Sequence, residues 1–142
     1  MPTPTPKAPL SDAFVILAIL LLPIVIVNGL LYSLGVAITA FDASILAPSG
    51  RPITLATVVI ASIVGSLICF ALYLVIRALS IRPGQWVQRI GLPLLLLSFL
   101  LPLTVRNATV LTFLTLGAMH VIVALPFIRA FARLSRDTLL KS

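Results

Sequence analysis

Four long apolar stretches separated by short polar segments dominate the pattern along the chain. The first two run over about residues 13–40 and 54–76, and the last two over about 87–105 and 109–128. A helix needs about 20 apolar residues to cross the hydrocarbon core of a bilayer, at about 1.5 Å of rise per residue. The pattern therefore predicts an all-α membrane protein whose transmembrane domain, residues 13–130, is a bundle of four transmembrane helices.

The third stretch carries the weakest signal of the four. Its uncharged part begins at Ile90 and contains Pro93 and Pro102. It crosses the membrane only if residues 87–89 extend their polar ends toward the headgroups. The alternative is a protein of three spans with a re-entrant third segment, which places the two termini on opposite sides of the membrane.

Polar segments flank the predicted transmembrane domain. Residues 1–12 alternate proline with small polar residues, a composition typical of a disordered tail. Residues 131–142 form a basic C-terminal tail that starts as a helical continuation of the fourth span. The first apolar stretch is longer than the apolar region of a signal peptide, so we expect it to be retained as a span.

Composition supports a lipid environment. Of the 142 residues, 61% are hydrophobic and 9% are charged, whereas soluble domains have about 45–50% apolar and about 25% charged residues. The formal net charge is +7. The basic residues stand at the ends of apolar stretches, as in membrane proteins, and are not clustered as in proteins that neutralise phosphates. We therefore expect no nucleic-acid partner.

The distribution of Lys and Arg predicts the orientation. Eight of the ten lie in the two tails and the loop at residues 77–89, and only Arg51 and Arg106 lie on the other side. Because basic loops stay in the cytoplasm, this split predicts a multi-pass protein of the plasma membrane with both termini cytoplasmic. The predicted membrane-surface residues on this side are Arg77, Arg82, Trp86, Arg89, Arg129, Arg133 and Arg136.

These arginines predict the partners at the membrane surface. Lys and Arg near a bilayer attract anionic headgroups, so we expect the protein to contact anionic lipids. The alternative for Arg129, Arg133 and Arg136 is that they dock a partner protein.

Uncharged polar residues within the spans form the candidate site. His120 lies about 16 Å into the fourth span, and Ser66 and Ser98 fall at a similar depth when the helical rise is counted from the span ends. Asn28 lies somewhat nearer the outer face of the membrane, about level with Ser62. We predict a polar layer, and a candidate ligand site, at Asn28, Ser66, Ser98 and His120.

His120 has three interpretations. A neutral imidazole can join helices by bonding to Asn28, Ser66 or Ser98, as polar side chains do in lipid. It can also contact a ligand in a small central cavity, or serve as the axial ligand of a haem or chlorin. Cys69 is the single cysteine, and no second histidine is present. We therefore predict no metal site and no cofactor.

Small residues recur every fourth position on the second span. Thr57, Ala61, Gly65 and Cys69 form this small-residue ridge, and Gly29 and Ser33 form a shorter one on the first span. Small side chains let helix backbones approach closely in lipid. The ridges predict helix packing, either within the chain or against a second copy or another membrane protein.

Several short motifs resemble one bacterial family. These are residues 28–32 (NGLLY), the stretch from Leu97 to Pro102, and residues 119–124 (MHVIVA). With the Pro-rich first loop, they resemble the family called domain of unknown function 6069, over roughly residues 13–130. The resemblance implies a compact four-helix bundle without an established activity, and it assigns no catalytic residue.

Two functions remain open from the sequence. The first is a non-enzymatic bundle acting as a structural or regulatory membrane subunit. The alternative is a small transporter, channel or hydrophobic-ligand-binding protein that uses the polar layer. A closed core with His120 bonded to a neighbouring helix favours the first, and an open pocket containing Asn28 and His120 favours the second. We expect no enzyme, because the spans show no nucleophile–base pair or metal site.

Overall fold

The chain folds into four long helices and one short 3-10 helix. The structure, a computed structural model, describes the backbone of residues 9–140 and the side chains of residues 9–134. The elements are α1 (Leu10–Ala37), α2 (Leu55–Leu79), α3 (Pro83–Ser98), η1 (Pro102–Thr104) and α4 (Val110–Leu140). Four segments are long and apolar enough to cross a membrane: α1, α2, α3 together with η1, and α4 up to Leu134. The predicted four-helix membrane bundle is confirmed.

The two ends of the bundle differ in their connections. We call one the long-loop end, which carries the α1–α2 loop (residues 38–54) and the segment from α3 to α4 (residues 99–109). The other is the terminal end, which carries the start of α1, residues 80–82 between α2 and α3, and the α4 residues beyond about 128. The predicted tail at residues 1–12 lies outside the described residues up to Ala8, and α1 already begins at Leu10.

α1 shows how the bundle meets lipid. Its buried residues are Ala13, Ile24, Asn28 and Gly35, which recur at helical spacing on one stripe. Around that stripe, large apolar side chains such as Ile19 and Leu30 remain about two-thirds exposed. Exposed apolar surface on this scale is stable only in hydrocarbon.

α4 is the central helix of the bundle. It packs extensively against α1 and α3 and also contacts α2, whereas α2 and α3 meet over a much smaller area. Near the terminal end, Tyr73 of α2 stacks on Phe131 of α4, with ring centroids 4.1 Å apart and planes at 6°. Phe70 and Phe127 extend this aromatic core, so α2 is anchored to α4 mainly at that end.

The third span differs in detail from the prediction. The expected loop at residues 77–89 is reduced to residues 80–82, and α3 begins at Pro83, so Trp86 lies in its first turns. Proline suits the first turn of a helix because its missing N–H would have no intrahelical acceptor there. α3 then ends at Ser98, and η1 begins at Pro102 and completes the crossing.

Hydrogen bonds join the two loop segments of the long-loop end. Leu46 and Arg106 exchange two backbone bonds of 3.2 and 2.9 Å. Asn107, in a left-handed backbone conformation (φ 57°), donates from Nδ2 to the carbonyl oxygen of Ser44. The buried hydroxyl of Thr112 donates to the carbonyl of Ala40 at 2.7 Å. These bonds tie the α1–α2 hairpin to the start of α4.

Candidate functional site: a lateral groove with a polar layer

An apolar groove runs along the bundle between α2 and α3, with α4 as its floor. Its volume is about 610 Å³. It extends from Pro48 and Thr104 at the long-loop end to Ile76 and Val87 at the terminal end. Ile68 and Leu94 line it and remain exposed, so the side opposite α4 opens toward lipid. We call this feature the lateral groove.

The small-residue ridge of α2 creates the lateral groove. Thr57, Ala61, Gly65 and Cys69 all line it, and Ala61 stays exposed. Side chains of this size cannot reach across to α3. At Gly65 the ridge closely approaches α4: a Cβ added there would lie 3.3 Å from Cγ1 of Val123. The ridge thus combines one close helix contact with an open apolar wall.

Asn28 and Ser62 form a buried hydrogen bond between α1 and α2. Nδ2 of Asn28 donates to Oγ of Ser62 at 2.8 Å, and that hydroxyl donates to the carbonyl of Val58 at 2.8 Å. Because Ser62 has a single hydrogen, this arrangement fixes the orientation of the amide. Asn28 lines the groove and is only 1% exposed. Its Oδ1 is buried and has no hydrogen-bond partner.

An unpaired buried oxygen is energetically unfavourable. Leaving such an acceptor without a hydrogen bond costs about 1–3 kcal/mol relative to its state in water. Native interiors rarely tolerate that cost unless a water molecule or a ligand supplies the missing donor. Oδ1 of Asn28 is therefore the atom in the groove wall that most clearly requires a binding partner.

His120 also lines the lateral groove. Nδ1 lies 2.8 Å from the carbonyl oxygen of Leu116 in the same helix. Since a carbonyl only accepts, Nδ1 must carry the hydrogen, and in the neutral form of the ring Nε2 is then an acceptor. The ring lies beside Phe99, with centroids 6.5 Å apart. The structure thus gives His120 a partner in its own helix, different from the expected bond to Asn28, Ser66 or Ser98.

Helix register places the polar groups at one depth. α2 and α4 run in the same direction, and Gly65 lies against Val123. Three residues earlier on each helix, Ser62 and His120 are therefore level. On α3, which runs the opposite way, Gly91 meets Ile128 and Phe99 meets Gly117, so Ser98 falls at the level of His120. Asn28 joins this layer through Ser62.

The two predicted serines differ in their positions. Ser98 is half-buried and lines the groove, with its hydroxyl donating to the carbonyl of Leu95 at 2.6 Å. Ser66 is fully buried one turn beyond Ser62, and its hydroxyl donates to the Ser62 carbonyl. Ser62, not Ser66, is thus the α2 serine at the level of His120. The sequence contains a signal for this role of Ser62, because counting the helical rise places Ser62 at the same depth as Asn28.

The shorter ridge on α1 is less tightly packed. A Cβ on Gly29 would lie 3.6 Å from Cδ1 of Leu55, an ordinary contact. The hydroxyl of Ser33 is exposed and donates to the Gly29 carbonyl at 3.0 Å.

The predicted surface residues gather at the terminal end. Arg82, Arg89, Arg129 and Arg133 are exposed, and Arg77 is half-buried. The guanidinium of Arg89 lies 5.8 Å from the ring centre of Trp86, a cation–π geometry. The side chain of Arg136 lies outside the described residues.

The side chains of the polar layer are engaged in hydrogen bonds within the protein. Among them, no three His, Cys, Asp or Glu side chains come close enough to hold a metal ion. The hydroxyls of Ser62 and Ser98, the serines level with His120, donate to backbone carbonyls and not to its imidazole. What the layer offers a molecule in the groove is hydrogen bonding within an apolar cleft.

Comparison with known proteins identifies a family for most of the chain. Neither the curated proteins nor the solved structures contain a match to this chain. Residues 16–137, which include most of α1, all of α2 and α3, and α4 as far as Asp137, match a family described as Family of unknown function (DUF6069). The protein belongs to this family.

Proposed function

We propose that the protein binds a hydrophobic small molecule from the membrane in the lateral groove and that it is not an enzyme. The single observation that carries this proposal is the buried, unpartnered Oδ1 of Asn28 in the wall of an otherwise apolar groove. A groove of about 610 Å³ falls within the range of about 300–1,000 Å³ common for small-molecule sites.

The size of the groove also favours a small molecule over a transmembrane helix. A helix about 10 Å wide and 30 Å long occupies roughly 2,400 Å³. That volume is several times larger than the groove, so a partner helix would insert only part of its surface. An elongated amphiphile, in contrast, fits such a cleft along its length.

The proposal is tested by blocking the groove. Ala61 is exposed and lines it, so Ala61→Leu introduces a larger side chain into open space. Ala71, exposed on the same helix and outside the groove lining, gives the matched control Ala71→Leu. Each protein is purified from its native membrane in detergent, and co-purifying small molecules are quantified by mass spectrometry.

We expect one molecular species to be enriched about tenfold in the native protein and in Ala71→Leu, and to be lost from Ala61→Leu. Equal lipid content in all three proteins contradicts a groove ligand.

A structural or regulatory membrane subunit is the second candidate. Its support is the small-residue ridge, which remains uncovered in the groove and has the pattern that helices use to approach one another. The partner would then be a second copy or another membrane protein. Native mass spectrometry distinguishes the candidates, because a ligand-free oligomer that Ala61→Leu dissociates supports this one.

Orientation and surroundings complete the proposal. Because eight of its ten basic residues fall at the terminal end or in the tails, we place that end in the cytoplasm of a plasma membrane. Exposed Arg82, Arg89, Arg129 and Arg133 would then face the anionic headgroups of the inner leaflet.

A further inference from the structure

The lateral groove has an asymmetry in its hydrogen-bonding groups, and this inference rests on the function proposed above. In the polar layer, the hydrogens of Ser62 and Ser98 are committed to the carbonyls of Val58 and Leu95. The Nδ2 group of Asn28 donates to Ser62, and Nδ1 of His120 donates to Leu116. The principal donors of the layer are therefore already bonded within the protein.

The acceptors of the same layer are not all used. Oδ1 of Asn28 is buried without a partner. On the His120 ring, the contact of Nδ1 with Leu116 leaves Nε2 for a ligand, and in the neutral form of the ring Nε2 is an acceptor. Both residues line the groove, and the helix register places them at one depth. The layer thus presents two acceptors to the groove, and beyond the bonds given above its one remaining side-chain hydrogen is the second hydrogen of Nδ2 of Asn28.

This asymmetry determines what can bind. We propose that the ligand is an elongated lipid-soluble molecule whose hydroxyl group donates a hydrogen bond to Oδ1 of Asn28, with Nε2 of His120 as the second acceptor. A carboxylate, phosphate, ester or ketone places an acceptor against these acceptors and gains no bond. Long-chain alcohols and reduced quinones are two sources of the required hydroxyl.

The apolar part of the groove gives the orientation of the ligand. From Ser62 to Ile76 the groove wall follows α2 for 14 residues, about 21 Å of helix. Toward the long-loop end it follows α2 for a shorter distance, from Ser62 back to Thr57. The longer apolar tail therefore points toward the terminal end and covers Cys69.

The modification rate of Cys69 gives a measure of ligand binding in the groove. It is the single cysteine of the chain, it is half-buried, and it lines the tail portion of the groove. The full-length protein in detergent is treated with a small membrane-permeant thiol reagent, and the modification rate is followed by intact mass. The thermal midpoint, monitored through Trp86, gives a second measure of binding.

The decisive comparison uses the native protein and matched probes. The probes are hexadecan-1-ol, its methyl ether, palmitate, a short-chain ubiquinol and the corresponding ubiquinone. We expect an alcohol or quinol to slow modification of Cys69 at least fivefold and to raise the thermal midpoint. The methyl ether, palmitate and the quinone should have less than a twofold effect. Protection by the alcohol alone or the quinol alone identifies the source of the hydroxyl.

Two variants test the assignment of the acceptor. Asn28→Leu replaces the amide by an apolar side chain with the same branching and should abolish the preference for alcohol over ether. Ser98→Ala, which removes a hydroxyl already bonded to Leu95, should keep that preference. If Asn28→Leu does not fold, the comparison of the probes on the native protein still tests whether the groove prefers a hydroxyl group.

The outcomes separate the two levels of the proposal. Equal protection by the alcohol and its ether, or by the quinol and the quinone, overturns the hydroxyl inference and leaves a groove that binds apolar molecules. Stronger protection by palmitate overturns it as well. If none of the probes protects Cys69 or raises the thermal midpoint, while Ala61→Leu retains the lipids of the native protein, the function proposed above fails too.

Discussion

At the scale of single residues, Asn28 combines an interhelical hydrogen bond with the binding role proposed above. Its Nδ2 joins α1 to α2 through Ser62, while its Oδ1 is buried without a partner. Interhelical hydrogen bonds in lipid contribute about 0.6–2 kcal/mol each, since the separated helices also find partners. The bond to Ser62 is therefore a modest stabiliser that fixes the orientation of the amide.

Removing the hydroxyl of Ser62 tests this view. Ser62→Ala should lower the free energy of unfolding in detergent by about 1 kcal/mol, because Nδ2 of Asn28 loses its buried acceptor. The control is Ser33→Ala on α1, whose exposed hydroxyl bonds only to its own helix; its effect should stay within about 0.5 kcal/mol. Chemical unfolding followed by circular dichroism measures both, and equal effects would refute the interhelical role.

Several features at this scale follow from the sequence, and others do not. The intramembrane polar residues and the similar depth of Asn28 and Ser62 can be read from spacing along the helices. The hydrogen-bond partner of His120 cannot be predicted from the sequence, because a histidine in a helix can bond either to the carbonyl four residues earlier or to a neighbouring helix. The choice depends on side-chain rotamer and helix rotation, which a single sequence does not specify.

At the scale of helices, the contact between α3 and α4 depends on glycine. A Cβ on Gly91 would lie 2.8 Å from Cγ1 of Ile128, closer than real Cβ contacts allow. Ile128 is β-branched and rotates little at χ1, so it cannot easily move aside.

Gly91→Ala should therefore destabilise the protein by about 1–3 kcal/mol through overpacking. The control Gly29→Ala places a methyl group 3.6 Å from Cδ1 of Leu55, an ordinary contact, and should leave stability unchanged or slightly increased. Thermal unfolding in the same detergent compares the two variants. A Gly91→Ala protein as stable as Gly29→Ala contradicts the packing described here.

Helix boundaries show the same limits of inference from sequence. Hydrophobicity predicts four spans, and Pro83 predicts a break, but proline is equally compatible with the first turn of a helix, where the structure places it. The lateral groove could not be predicted, since the same leucine or isoleucine suits a core, a groove wall or a lipid-facing surface. Only the relative positions of α2, α3 and α4 distinguish these environments.

At the scale of the whole molecule, charge and connectivity define two different faces. The long-loop end is joined by backbone bonds between Leu46 and Arg106, and the terminal end carries most of the arginines. With an even number of spans, both described ends of the chain lie on one side. The proposed orientation then places residues 38–54 outside the cell.

Cysteine accessibility tests this orientation in intact cells. In a Cys69→Ser background, Ser49→Cys, exposed in the α1–α2 loop, should react with a membrane-impermeant maleimide. Gln85→Cys, exposed at the start of α3, should react only after the membrane is permeabilised. The reverse pattern means that the protein is inverted, and labelling of both positions in intact cells argues against a fixed orientation.

The connections at both ends of the lateral groove have a consequence for the route by which a proposed ligand would enter it. α2 and α3 are connected by residues 80–82 at one end, and the segments that flank them are bonded together through Leu46 and Arg106 at the other. A ligand of the kind proposed above would therefore enter sideways, by two-dimensional diffusion within the bilayer. Occupancy then follows the mole fraction of the ligand among the surrounding lipids, so the protein would respond to membrane composition and not to an aqueous concentration.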